Sequence, residues 1–85
     1  MYSTRFQELK TRGFSLSNKR HFRQWNQYEF DEWIDECRSL LSCCEPEPDG
    51  FPWCPDPRHI EEIVMMLSAT ERKISRGQIE YTGIF

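Results

Sequence analysis

The chain has 85 residues, 11 Lys+Arg against 14 Asp+Glu and a net charge of −3. That is room for one small domain, 1–85, and excludes two. Its longest apolar run, Ile63 to Leu67, is too short to cross a bilayer, and no apolar N-terminal stretch suggests a secretion signal, so a soluble cytoplasmic protein without a membrane partner is expected. Twelve aromatic side chains can supply much of the core, since each buries roughly 150–250 Å².

Thr4 and Gln7 have the spacing of a capping box and Gly13 offers a left-handed C′ residue, which together predict a short helix over 4–12 with Phe6 and Leu9 inward. Residues 14–25 show no clean apolar period and read as mostly loop. Asn26 and Glu29 form the next N-terminal signal. From there Phe30, Trp33, Ile34, Cys37, Leu40, Leu41 and Cys44 recur at offsets of three and four, predicting a helix over 26–44.

Residues 45–57 hold all five prolines, which exclude a helix or central strand; Phe51 and Trp53 are too apolar for a free linker and should fold back over the helices. Asp56 as N-cap with Pro57 at N1 opens a second long helix, 56–76, with Gly77 at C′. The tail 78–85 alternates and ends in Ile84 and Phe85, as an extended docking segment would. The expected fold is all-α: a small helical bundle of two long antiparallel helices whose stripes face each other, closed by the short N-terminal helix and the proline-rich loop.

Charge is uneven. Residues 1–25 carry six basic side chains and one acidic, residues 26–62 two and eleven. The basic segment can fold onto the acidic helix, pair two chains, or steer a charged partner. Lys19, Arg20, His21 and Arg23, interleaved with Phe22 and Trp25, have the cations and rings of a nucleic-acid footprint, against which stand the net negative charge and the ordinary reading as a solvated loop. The speculative binding set is Lys19, Arg20, Arg23 and Trp25.

Cys43, Cys44, Cys54 and His59 are chemically suited to zinc, but adjacent cysteines at a helix end are not the usual knuckle. Reduced, partly buried thiols are the plain alternative, and a Cys44–Cys54 disulfide a third. Cys54 with His59 is the sole candidate nucleophile–base pair, and Glu32, Asp35 and Glu36 are carboxylates that could pair as acid and base or hold a hard cation; on a regular helix face these are ordinarily solvated. Met65 and Met66 fit either a docking surface or core filling. No motif calls for a catalytic residue or a cofactor.

Arg5-Phe6, Glu8-Leu9, Gly13, Phe30, Trp33, Leu40-Leu41, Leu67, Ala69, Glu71, Lys73 and Gly77 together resemble a small all-helical domain of uncharacterised prokaryotic proteins, often linked to phage defence. The proline-rich segment 45–57 departs from that pattern. The resemblance implies helices and an accessory role, with no catalytic residue carried over. The R-x₄₋₆-H motif of HEPN-type ribonucleases has no counterpart before His21 or His59. A non-enzymatic protein–protein interaction module of prokaryotic or phage origin is expected, its partner another protein or a second copy of itself as a homodimer. The alternatives are a small inhibitor or adaptor on nucleic acid or nucleoprotein through 19–23, and a zinc-stabilised helical domain.

Overall fold

The computed structural model describes residues 2–82 as three helices and a minimal two-stranded ladder. Helix α1 spans Tyr2–His21, α2 Gln27–Ser42 and α3 Ile60–Ser75, the last entered through a 3₁₀ turn at Pro57–His59; strands β1, Cys44–Glu45, and β2, Glu80–Tyr81, pair antiparallel. The all-α expectation is met in its class.

The first correction concerns residues 4–12 and 14–25. The helix does not stop at Gly13; it runs through it for 20 residues, so Thr4 and Gln7 lie inside the helix and 14–21 are helical rather than loop. The reason is tertiary. Phe6, Leu9, Gly13 and Leu16 recur at offsets of three, four and three, and all four are buried. Counted as a core position rather than a terminator, Gly13 completes an inward stripe. Its missing side chain is what allows the approach: a Cβ there would lie 2.6 Å from Val64 Cγ2 and 2.8 Å from Trp33 Cζ2. The helix ends instead with Arg23 in the left-handed region, φ 58°, where Gln24 N–H donates to the Lys19 carbonyl at 2.8 Å, the bond of a Schellman closure without its glycine.

The second correction concerns helix direction. Lys19 meets Glu29, Arg12 meets Glu36, and Trp33 Nε1 donates to the Leu9 carbonyl, so α1 and α2 are antiparallel. At one end of α3 Arg20 reaches the Pro57 carbonyl, in the middle Gly13 faces Val64, and at the other end Lys10 bonds Glu71, so α1 and α3 are antiparallel as well. The two helices expected to form an antiparallel pair therefore run parallel to each other, and α1 provides the main helix–helix interfaces, first with α3 and then with α2. The antiparallel partner of each is α1, which continues through Gly13.

Parallel α2 and α3 require the chain to return the full length of the bundle between them. A 16-residue helix is about 24 Å long, and 14 residues can span up to about 46 Å, so the proline-rich stretch from Cys43 to Asp56 is ample as a strap. Both helices then end at the same pole, which is why β1, directly after α2, can pair with β2, after α3, in the register Cys44 with Tyr81 and Glu45 with Glu80. Thr82 closes the ladder, its backbone N–H and hydroxyl both donating to the Cys43 carbonyl. Ile79 is buried in support of the extended tail; Ile84 and Phe85 lie outside the described residues.

Local signals hold at the other helix ends. Asn26 caps α2, its side chain accepting from Glu29 N–H at 3.1 Å. Asp56 accepts from Arg58 N–H at 2.8 Å, and His59 Nδ1 accepts from Asp56 N–H at 3.0 Å, a reciprocal box ahead of α3. Gly77, φ 75°, ends α3, with Gln78 N–H on the Lys73 carbonyl. The core is more aliphatic than the composition suggested. Phe6, Phe30 and Trp33 are fully buried, Trp25, Phe51 and Tyr81 half-buried, and the remaining volume is filled mainly by Leu and Ile.

Candidate functional site

The basic segment is largely spent inside the fold. Helix α1 carries Lys19 onto α2, where its Nζ meets both Glu29 oxygens at 2.9 and 2.8 Å, and Arg20 Nη1 donates to the Pro57 carbonyl at 3.2 Å. Trp25 leans on Phe30, ring centroids 5.2 Å apart, with its Nε1 on Gln27. Of the speculative binding set, Arg23 alone is exposed with no side-chain polar partner among the described residues; neighbouring His21 and Phe22 are also exposed. Basic N-terminal charge folded onto the acidic helix, through Lys19–Glu29 and Arg12–Glu36, is thus realised within one chain. Each such half-exposed pair contributes at most about 1 kcal/mol.

The structure does not gather Cys43, Cys44, Cys54 and His59. Among the described residues no group of three or more His, Cys, Asp or Glu side chains could share one metal ion. Cys44 is buried with its thiol toward the Leu40 carbonyl, Cys43 Sγ sits 3.4 Å from the Ser39 carbonyl, Cys54 is exposed on the strap, and His59 Nδ1 is committed to the capping box. All four cysteines are free thiols, Cys44–Cys54 included. Burial pushes the Cys37 thiol up to about 12 and raises that of Cys44, which keeps both protonated and poor as nucleophiles or ligands at neutral pH. No hydrogen bond joins Cys54 to His59 among the described residues. Glu36 pairs with Arg12, while Glu32 and Asp35 stand exposed on the outer face of α2, so the three carboxylates do not converge. The Arg58 guanidinium and backbone N–H hold the Asp56 carboxyl below the ordinary carboxylate range, a helix-start feature.

What remains unspent is apolar. Trp53 is 93% exposed, contrary to the expectation that it folds back; Phe51 does fold back, half-buried and capped by the Arg38 guanidinium 5.1 Å above its ring. Elsewhere, Phe14 of α1 and Met65 of α3 are 59% and 71% exposed and flank a groove of about 280 Å³, whose floor is Ile60 and Val64 and whose sides include Ser17, Ser68 and the single charged residue Glu61. Met65 and Met66 therefore divide the two roles open to them: Met66 packs against the core and Met65 faces water.

The amino-acid order conceals the groove, because residues 14–25 lack a clean apolar period and Phe14 reads as loop. A signal was present nonetheless. Residues 13–18 on α1 and 63–70 on α3 carry no charged side chain, and the antiparallel pairing joins the two stretches at one end, where Gly13 faces Val64, while Ser17 lies beside Ile60 and Glu61. Depletion of charge around exposed large apolar residues marks the centre of protein interfaces, whereas bulk hydrophobicity does not.

No helix among the described residues is long and apolar enough to cross a membrane. No family model matches the chain, and no curated protein and no solved structure matches it either.

Proposed function

We propose that the chain is a non-enzymatic protein-interaction module that docks its partner in the groove between α1 and α3. The observation that carries this reading is the joint exposure of Phe14 and Met65, each within the longest charge-free stretch of its helix, over an apolar floor. Covering a large apolar side chain contributes roughly 1.5–3 kcal/mol, so two anchors with their floor are enough for a modest, reversible complex. An accessory role agrees with the resemblance to helical prokaryotic accessory domains, which we retain as part of the proposal. Nucleic-acid binding through 19–23 is the weaker reading, because Lys19 and Arg20 already hold internal partners.

Site-specific photocrosslinking tests the proposal. A benzophenone side chain installed at Met65 in the full chain, irradiated in the cells that express it, should give a discrete protein adduct; the same group at exposed Glu32, on α2, should not. Equal, diffuse labelling from both positions would overturn the reading. Loss of the Met65 adduct after nuclease treatment would shift the assignment to nucleic acid.

A further inference from the structure

The outer face of α3 has an order of residues that selects its occupant. Glu61, Met65, Ser68 and Arg72 follow one another at offsets of four, three and four, so they form a single line along the helix. Glu61 and Arg72 are exposed, Met65 is 71% exposed and Ser68 is half-buried. Neither Glu61 nor Arg72 has an ion pair or side-chain hydrogen bond among the described residues, whereas Arg5, Lys10, Arg12 and Lys19 of α1 each pair with a glutamate. The line is thus an acid, an apolar residue, a small residue and a base, in that order, with Phe14 beside it across the groove.

A two-fold axis perpendicular to such a line, passing between Met65 and Ser68, makes the line its own complement. Two copies of α3 laid antiparallel place Glu61 opposite Arg72 of the second copy, twice, and Met65 opposite Ser68 of the second copy, twice. The large side chain then meets the small one, as knobs meet holes between helices. Antiparallel helix dipoles add in the same direction, since the acidic start of each α3 lies beside the basic end of the other. A closed two-fold interface requires a self-complementary patch, and this line meets that requirement in charge, size and dipole order together. A foreign partner would need to supply the reversed order independently.

We infer that the occupant of the groove is a second copy of this chain, in an isologous dimer built on antiparallel α3 helices with Phe14 of each copy flanking the seam. This inference rests on the docking role proposed above and specifies its partner.

Sedimentation equilibrium of the full chain tests it with three proteins: wild type, Glu61→Arg and Arg72→Glu. The wild type should show a concentration-dependent monomer–dimer equilibrium. Either charge reversal alone sets like charges opposite each other at both ends of the seam and should raise the dimer Kd about tenfold or more. An equimolar mixture of the two variants should restore association, because every facing pair is then opposite in sign. Met65→Gln is the second variant should a reversal near a helix end unfold the chain; its site faces water in the monomer, and it should raise Kd about tenfold while far-UV circular dichroism stays unchanged.

A wild type that stays monomeric up to about 1 mM overturns the inference. So do single variants that dimerise as well as wild type, or a mixture no tighter than its components. If the wild type is monomeric while the Met65 photocrosslink captures a different protein, the docking role stands and self-pairing falls. If neither is seen, both fall.

Discussion

Gly13→Ala separates two views of this chain. In a solvated helix interior the substitution stabilises by about 0.8–1 kcal/mol, through higher helix propensity. At Gly13 the new methyl would lie 2.6 Å from Val64 Cγ2 and 2.8 Å from Trp33 Cζ2, where carbon pairs favour about 3.5–4.0 Å. Neither neighbour yields cheaply. Val64 is β-branched within α3 and strongly prefers one rotamer, and Trp33 is held by its Nε1 bond to the Leu9 carbonyl at 2.8 Å. Helix α1 must retreat by nearly 1 Å from both partners, an overpacking cost of about 2–3 kcal/mol. The net expectation is a loss of about 1–2 kcal/mol, or a melting temperature lower by about 5–15 °C. Thermal and urea unfolding followed by circular dichroism measure it. A glycine at a helix end would also object to alanine, so the decisive measurement is the same substitution on a Val64→Ala background. There the closer clash is gone and the cost should shrink by about 1 kcal/mol. A stabilising Gly13→Ala, or an equal cost on both backgrounds, would refute the close packing on which the three-helix arrangement depends.

Arg23 occupies the left-handed position after α1, φ 58°, at a cost that glycine avoids, so Arg23→Gly should stabilise by about 0.5–1 kcal/mol in urea unfolding. Trp33 is fully buried, and Trp33→Ala should cost about 3–5 kcal/mol, enough to abolish a cooperative transition in so small a domain; Trp33→Phe should cost about 1–3 kcal/mol, and an alanine cost under about 1 kcal/mol would contradict its central place. Lys10 and Glu71, 2.7 Å apart with side chains 14% and 17% exposed, should show a double-mutant coupling of about 1–2 kcal/mol, against about 0.3 kcal/mol for exposed Arg5–Glu8. Cys37 is raised from 9.0 to about 12, so between those values the folded protein binds the proton that the unfolded chain releases, and stability must fall as pH rises through that window. The raised thiol of Cys44 and phenol of Tyr81 act in the same sense. Urea midpoints at pH 8 and 10.5 should therefore differ, and Cys37→Ala should flatten the dependence.

Local grammar was legible in the amino-acid order wherever a single helix end decides the outcome. Asn26, Asp56 with Pro57, and Gly77 each stand where backbone donors or acceptors need a partner or a left-handed residue, and each does that job without help from distant parts of the chain. The apolar lines of α2 and α3 were equally plain, because period alone defines them. Gly13 and Arg23 show what order alone misassigns. A glycine reads as a terminator until two other helices are known to press against it, and an arginine does not advertise a left-handed residue. That one misreading hid Phe14, turned α1 into a fragment and left α2 and α3 no partner but each other. Direction, and with it the groove of Phe14 and Met65, was decided only by packing: once α1 lies antiparallel to both, α3 must run parallel to α2 and the proline strap must carry the chain back. The physical reason is range. Caps and periodicities act within a turn or two, whereas which stripes meet is set by how three of them bury the most surface together.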